Sequence, residues 1–278
     1  MSLVINTNVM SMDAQRHLTG STNKLAKSVE RLSSGLRINS AADDAAGLSI
    51  SDKLTAHVRS IAVAVRNSQD GISLAQIAEG SLGKIGDILT RMRELAEEAA
   101  NGTLGTSERS ALNNEYSQLK AEIDRISQVT EFNGTKLLDG SQSANGITLQ
   151  VGFHNTTNDR ITFFSGVGAT NTSALGVSAT NILTASSAQA ALDSIDSAIG
   201  TVALRRGTLG AIENRLDMTI TNLQITSENL SAANSRIRDA DFAYETARFT
   251  QNQIIVQAGT AILAQANVLP QNALTLLR

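Results

Sequence analysis

The chain has no cysteine, no tryptophan, a single proline and only 3% aromatic residues. Without cysteine there is no disulfide, no thiolate nucleophile and no sulfur-based metal site. Aromatic volume this small argues against a compact enzyme core and for long helices packed through small and aliphatic side chains. An excess of one charge is missing too. The 23 basic and 26 acidic side chains leave a net charge of −3, so no overall field favours nucleic acid or anionic lipid. No run of about 18 apolar residues offers a membrane span, and the opening MSLVINTNVM lacks the basic and apolar regions of a cleavable signal.

Catalytic groups are equally sparse. His17, His57 and His154 lie in different segments, none with a second His or Cys at metal-ligand spacing. The adjacent pairs Asp43-Asp44 and Glu97-Glu98 point about 100° apart on a helix and cannot share one substrate atom. Asp43-Asp44 reads better as helix-start carboxylates that meet free N–H groups. Glycines are scattered through helical patterns, so there is no phosphate loop, dinucleotide fingerprint or nucleophile elbow. The expectation is a protein that is not an enzyme and holds no cofactor or metal.

What the chain does have is heptad spacing at both ends. Leu18, Thr22, Leu25, Val29 and Leu32 follow a four-three pattern, as do Ile255, Gly259, Ile262, Ala266, Leu269, Ala273 and Leu276. These predict an assembly seam in which the terminal helices find helical partners. A pair of amphipathic helices hides only one seam, so Val4, Ile5, Ile254, Val256, Leu263 and Leu274 are expected to stay exposed in a single chain.

Between the ends, a first helix over about 10–32 stops at Ser33-Ser34-Gly35, and a second reads from Asp43 to Ala100 as one rod with a stammer near Ala75. At about 1.5 Å per residue that rod is on the order of 85 Å long and needs lateral company. Gly71, Gly80, Gly83 and Gly86 inside it are expected to sit where neighbouring backbones approach closely. A third helix carries Leu112, Tyr116, Leu119, Ile123 and Ile126 on one face, and helical spacing resumes at Leu192 and continues to Ile237. A last helix starts near Asp241, with Pro270 placed to kink it. Ile147–Phe153 and Arg160–Phe164 alternate as a hairpin, within a stretch where more than half of residues 141–184 are Ser, Thr, Asn or Gly. That stretch reads as an exposed tip.

The expected fold is mainly α: a long antiparallel helical bundle, paired terminal coiled-coil helices and a small β-hairpin region. Residues 1–40 and 240–278 would form the terminal coiled coil, 41–140 and 185–239 the bundle, and 141–184 the tip.

Several blocks resemble one family. Leu32-Ser33-Ser34-Gly35-Leu36-Arg37-Ile38-Asn39, Asp43-Asp44-Ala45-Ala46-Gly47-Leu48 and Asn67-Ser68-Gln69-Asp70-Gly71-Ile72-Ser73 are similar to the N-terminal signature of bacterial flagellins. Ser235-Arg236-Ile237-Arg238-Asp239-Ala240-Asp241 and the close Pro270-Gln271-Asn272-Ala273-Leu274-Thr275-Leu276-Leu277-Arg278 resemble the terminal blocks of that family. The resemblance implies an exported subunit that stacks into the extracellular filament used for swimming. As partners it implies further copies of the chain, the flagellar type III export apparatus, an export chaperone, and the cap and hook-junction proteins. A hook–filament junction protein is the alternative. By the same resemblance, Arg91, Leu95 and Glu115 fall at positions through which flagellins are gripped by the innate immune Toll-like receptor five.

Overall fold

The computed structural model describes residues 7–164 and 168–275, with side chains through Val268. The chain divides into two compact units, one of Met1–Val58 with Glu228–Arg278 and one of Arg59–Ser227. Five helices dominate: α1 (Val9–Ser34), α2 (Ala45–Ala100), α3 (Thr106–Val129), α4 (Ala185–Arg238) and α5 (Phe242–Thr275). α2 is unbroken through the expected stammer.

In the unit of residues 59–227, α2 supplies the core through Leu82, Ile85, Leu89, Met92, Leu95 and Ala96, all buried. This is the three-four stripe of a helix with partners along one side. α4 answers with Ala188, Ala191, Ile195, Ala198, Val202, Leu209 and Leu216, and α3 with Tyr116 and Ile123. Arg93 donates to Asp196 at 2.7 Å and Arg206 to Glu79 at 3.1 Å, so α2 and α4 run antiparallel here.

Two small hairpins close the far side of this core. β1 (Glu131–Phe132) and β2 (Thr135–Lys136) flank Asn133-Gly134, both at positive φ, the combination a tight two-residue turn requires. β3 (Ile147–Gln150) pairs antiparallel with β4 (Arg160–Phe163), Ile147 opposite Phe163 and Gln150 opposite Arg160. The hairpin expected over these residues forms, with shorter strands and a 3-10 turn at Thr157–Asp159 before β4.

The stretch read as an exposed tip is only partly outside: residues 154–158 are exposed, while others contribute to the core. Thr170, Thr172, Leu175, Val177 and Ile182 are buried, and Phe163 and Phe164 lie in the same core. Its polar residues have a different use: the Asp124 carboxylate accepts from the Thr172 backbone N–H at 2.8 Å and from its hydroxyl at 3.0 Å. The Lys120 ammonium donates to the Ser178 and Thr180 carbonyls, and the Arg205 guanidinium to Ala169 O at 2.9 Å. A polar, irregular segment can be buried when side chains meet its backbone groups in this way.

The glycines of α2 divide. A Cβ on Gly71 would lie 2.2 Å from Leu149 Cδ1 and 3.2 Å from Leu216 Cδ1, so the crowding there is by side chains and not by a neighbouring backbone. Gly80 and Gly83 face open space, and Gly86 meets only Val202 Cγ1 at 4.0 Å, which corrects the expectation for those three. Gly80→Ala and Gly83→Ala should each therefore raise the stability of this unit by about 1 kcal/mol, through helix propensity alone. Urea unfolding of the double variant checks this, and a lowered midpoint contradicts it.

In the other unit, α1 is capped at both ends. The Asn8 side chain accepts from Ser11 N at 3.0 Å, and Gly35, with φ 72°, turns the chain left-handed and donates to Arg31 O. The chain then runs beside the α4–α5 junction, where Ala240 N donates to Gly35 O at 2.9 Å and Leu36 bridges Asp239. Asp44 accepts from Gly47 N at 2.9 Å to start α2, and Asp241 accepts from Ala243 N at 2.9 Å to start α5.

Candidate functional site: a groove on the terminal helix pair

α1 and α5 pack antiparallel. The Asn8 amide donates to Ala266 O at 2.8 Å, the Ser11 hydroxyl to Asn267 Oδ1 at 2.8 Å, and at the other end the Ser28 hydroxyl to Glu245 Oε1 at 2.7 Å. The less exposed row of α1 is Ser11, Ala14, Leu18, Ser21, Leu25, Ser28 and Leu32; that of α5 is Glu245, Phe249, Asn252, Val256, Gly259, Leu263 and Ala266. Gly259 makes room for Leu18, whose Cδ1 lies 3.2 Å from where a Cβ would stand.

The seam positions thus separate into two sets. Leu18, Leu25, Leu32 and Ala266 lie on the facing rows. Val29 (48% exposed), Ile255 (43%) and Ile262 (60%) turn outward. Val256 and Leu263, expected outside, are half-buried, whereas Ile254 is exposed as expected. Three-four spacing admits two adjacent rows with shared members. In α1 both contain Leu18, Leu25 and Leu32 and differ in Ser21/Ser28 against Thr22/Val29. In α5 both contain Gly259 and Ala266 and differ in Phe249/Val256/Leu263 against Arg248/Ile255/Ile262, and the row with a cation stays out. Val4, Ile5 and Leu276 lie outside the described residues; Leu269, Pro270, Ala273 and Leu274 belong to α5, which continues as helix to Thr275, but their side chains lie outside those described.

Two of the outward residues, Ile255 and Ile262, share one groove. Met10, Leu18, Ile255 and Ile262 line one open groove of about 460 Å³ together with the small Ala14, Ser21, Ala258 and Gly259; Asp13 and His17 are its charged or titratable groups. A channel of small residues edged by large apolar ones has the shape that a further helix fills.

At the α1 C-terminal end sits a polar cluster that the heptad pattern did not reveal. The Arg31 guanidinium stands 3.6 Å from Glu245 and 3.9 Å from Asp43, while Lys27 pairs with Asp43. The Glu245 and Asp43 side chains are only 6% and 5% exposed. The one sequence signal was a lone carboxylate at a heptad position of α5. The Lys27 ammonium, helped by the Ser40 and Asn39 backbone N–H groups and opposed by burial, holds the Asp43 carboxyl down to about 2 from an ordinary 3.8. A depressed carboxylate stabilises the fold above its unfolded value and loses that contribution as pH falls towards its folded one. Residues 7–58 should therefore lose stability between pH 3.8 and about 2. Asp43→Asn should flatten that fall in thermal melts followed by circular dichroism; an unchanged pH profile in the variant would remove Asp43 from the account.

A second surface lies in the unit of residues 59–227. Arg91 Nε donates to Glu115 Oε1 and Nη1 to Glu94 Oε2, both at 2.9 Å, and the two carboxylates, Glu115 foremost, raise the guanidinium pKa. Arg91 and Glu115 are thus brought together across α2 and α3, both about half exposed. Leu95 is not part of that surface. It is 1% exposed and belongs to the core, a correction to its reading as a contact residue: one turn along α2 from Arg91 falls on the stripe facing the bundle. Among the described residues no group of His, Asp and Glu side chains could hold a metal ion, and no helix is long and apolar enough to cross a membrane.

Comparison with known proteins matches residues 5–143 to the bacterial flagellin N-terminal helical region and residues 192–277 to the bacterial flagellin C-terminal helical region. A flagellin of Halalkalibacterium halodurans is 46% identical over 278 residues, covering 99% of this chain and 100% of the relative. The flagellar filament 33 kDa core protein of Treponema phagedenis is 42% identical over 286 residues, covering 99% and 100%. Among solved structures, a Bacillus cereus flagellin at 35% identity covers 61% of this chain and 94% of its own, with a TM-score of 0.49.

Proposed function

The chain belongs to the bacterial flagellin family, and on that premise we propose that the α1–α5 pair is the surface through which its subunits stack. The protein is a structural subunit of the bacterial flagellar filament, and the family is a structural one. The hook–filament junction alternative is not better supported. The observation that carries the proposal is the groove: Ile255, Ile262 and Met10 are exposed in the single chain, and a neighbour's helix laid between them would complete a core.

Residues 1–40 and 240–278 are then the filament-core coiled coil, 41–140 and 185–239 the helical bundle domain, and 141–184 a short β-hairpin and loop tip. Leu269, Ala273 and Leu276 continue the seam. Family membership extends the proposal to an extracellular location reached by the flagellar type III export apparatus, with an export chaperone, cap and hook-junction proteins as partners. It extends also to Toll-like receptor five, with Arg91 and Glu115 as the exposed contacts.

Truncation after Ala266 tests the seam. Filament growth should stop while the shortened chain stays soluble and helical, because the lost residues lie beyond the core of residues 59–227. Filaments of normal length from the truncated subunit would rule the seam out.

A further inference from the structure

α1 buries the wrong residue by any apolar measure. Ser28 is 4% exposed while Val29, beside it, is 48% exposed, although the heptad row through Leu18, Leu25 and Leu32 could equally include Thr22 and Val29. Turning α1 slightly about its axis would bury the valine and expose the serine, and the hydrophobic effect alone favours that setting. Something stronger opposes it. Glu245 stands on the facing row of α5, nearly out of solvent, and a buried carboxylate left without partners costs more than one exposed valine gains. Its partners are the Ser28 hydroxyl at 2.7 Å and the Arg31 guanidinium at 3.6 Å, both on α1. Arg31 is in turn held near Asp43, so the cluster is fixed from the other side as well.

We propose that the Ser28–Glu245–Arg31 cluster is a positioning device that sets which face of α1 turns towards α5, overriding apolar preference and leaving Val29 outward. With α1 in this setting Ala14 and Ser21, on the same row as Ser28, form the small-residue wall of the groove. In the other setting Thr22 and Val29 face α5, and that wall turns away. A single buried polar contact choosing between two packings of one heptad sequence is the role such groups fill in coiled coils. The consequence for assembly rests on the groove being the stacking surface; the facing of α1 does not.

Because the chain has no cysteine, single-cysteine variants report the facing directly. Ser21→Cys and Thr22→Cys sit on the two competing faces, away from the cluster. Maleimide labelling of the soluble chain should be several-fold faster at position 22 than at 21. In the Glu245→Ala background the order should reverse, and in Glu245→Gln, which keeps an acceptor for the Ser28 hydroxyl, it should stay as in the parent. An unchanged order in Glu245→Ala overturns the proposal, and so does a rise of both rates to a common value, which would mean that the cluster only stabilises the pair. Electron microscopy of the same Glu245→Ala chain then reads assembly separately. A reversed labelling order with normal filaments would keep the positioning role and reject the groove as the stacking surface.

Discussion

Replacing both Ile255 and Ile262 with Asp will abolish filament growth and leave the core of residues 59–227 folded. The two side chains are 43% and 60% exposed in the single chain, so the folded subunit loses little by the change. In the filament each would be covered by a neighbour. Full burial of an isoleucine contributes roughly 1.5–3 kcal/mol, and about half of each side chain is still open in the single chain, so the pair accounts for roughly 1.5–3 kcal/mol of every stacking contact. On the scale of tenfold per 1.4 kcal/mol that is about 10–10² in the concentration at which filaments form, before the larger cost of covering two carboxylates. Sedimentation and electron microscopy read polymer, while circular dichroism reads the monomer. Filaments at the parent's critical concentration would refute the groove as the stacking surface, and a collapsed helical signal would show that both positions matter to the single chain.

Much of this fold was legible in the sequence, since each long helix writes its buried stripe at three-four spacing. Leu82, Ile85, Leu89 and Met92 were readable as one face, and they are the core of α2. Capping chemistry marked where helices begin: Asp44 and Asp241 cap α2 and α5. What the pattern could not do was choose between two rows one residue apart. Heptad spacing is satisfied by Ile255 and Ile262 as well as by Val256 and Leu263, and apolarity favours the isoleucines. The structure uses the other row, which runs through Glu245 and Phe249, and leaves Arg248 outside with the isoleucines.

The polar stretch was legible only in part, for a different reason. Composition marks residues 141–184 as solvent-facing, and many of them are exposed, yet Val177 and Ile182 are fully buried. The hydrogen bonds that permit this come from Asn113, Lys120, Asp124 and Arg205, residues distant in sequence whose helical positions gave no hint of that use. Composition reports how polar a segment is, not whether its backbone finds partners.

The same limit shaped the reading of Arg91, Leu95 and Glu115, and it leads to a sharp expectation for Leu95→Ala. Position in a block of sequence placed all three on one surface, but Leu95 is 1% exposed and surrounded by the core of α2, α3 and α4. Emptying a site of that kind costs the transfer of the lost methyl groups and leaves a cavity, typically about 2–5 kcal/mol for Leu to Ala. Urea unfolding of Leu95→Ala should show a loss of that size. Arg91→Ala and Glu115→Ala, by contrast, remove an exposed ion pair and should move the unfolding midpoint little. A reporter-cell assay for Toll-like receptor five then separates contact from support. If Arg91 and Glu115 are the contacts, their double variant should lose activity while fully folded, and Leu95→Ala should lose activity only as far as its native population falls. A fully folded Leu95→Ala that is nonetheless inactive would return the leucine to the receptor surface, and a stability loss below about 1 kcal/mol would show that its burial is less complete than the packing of α2 demands.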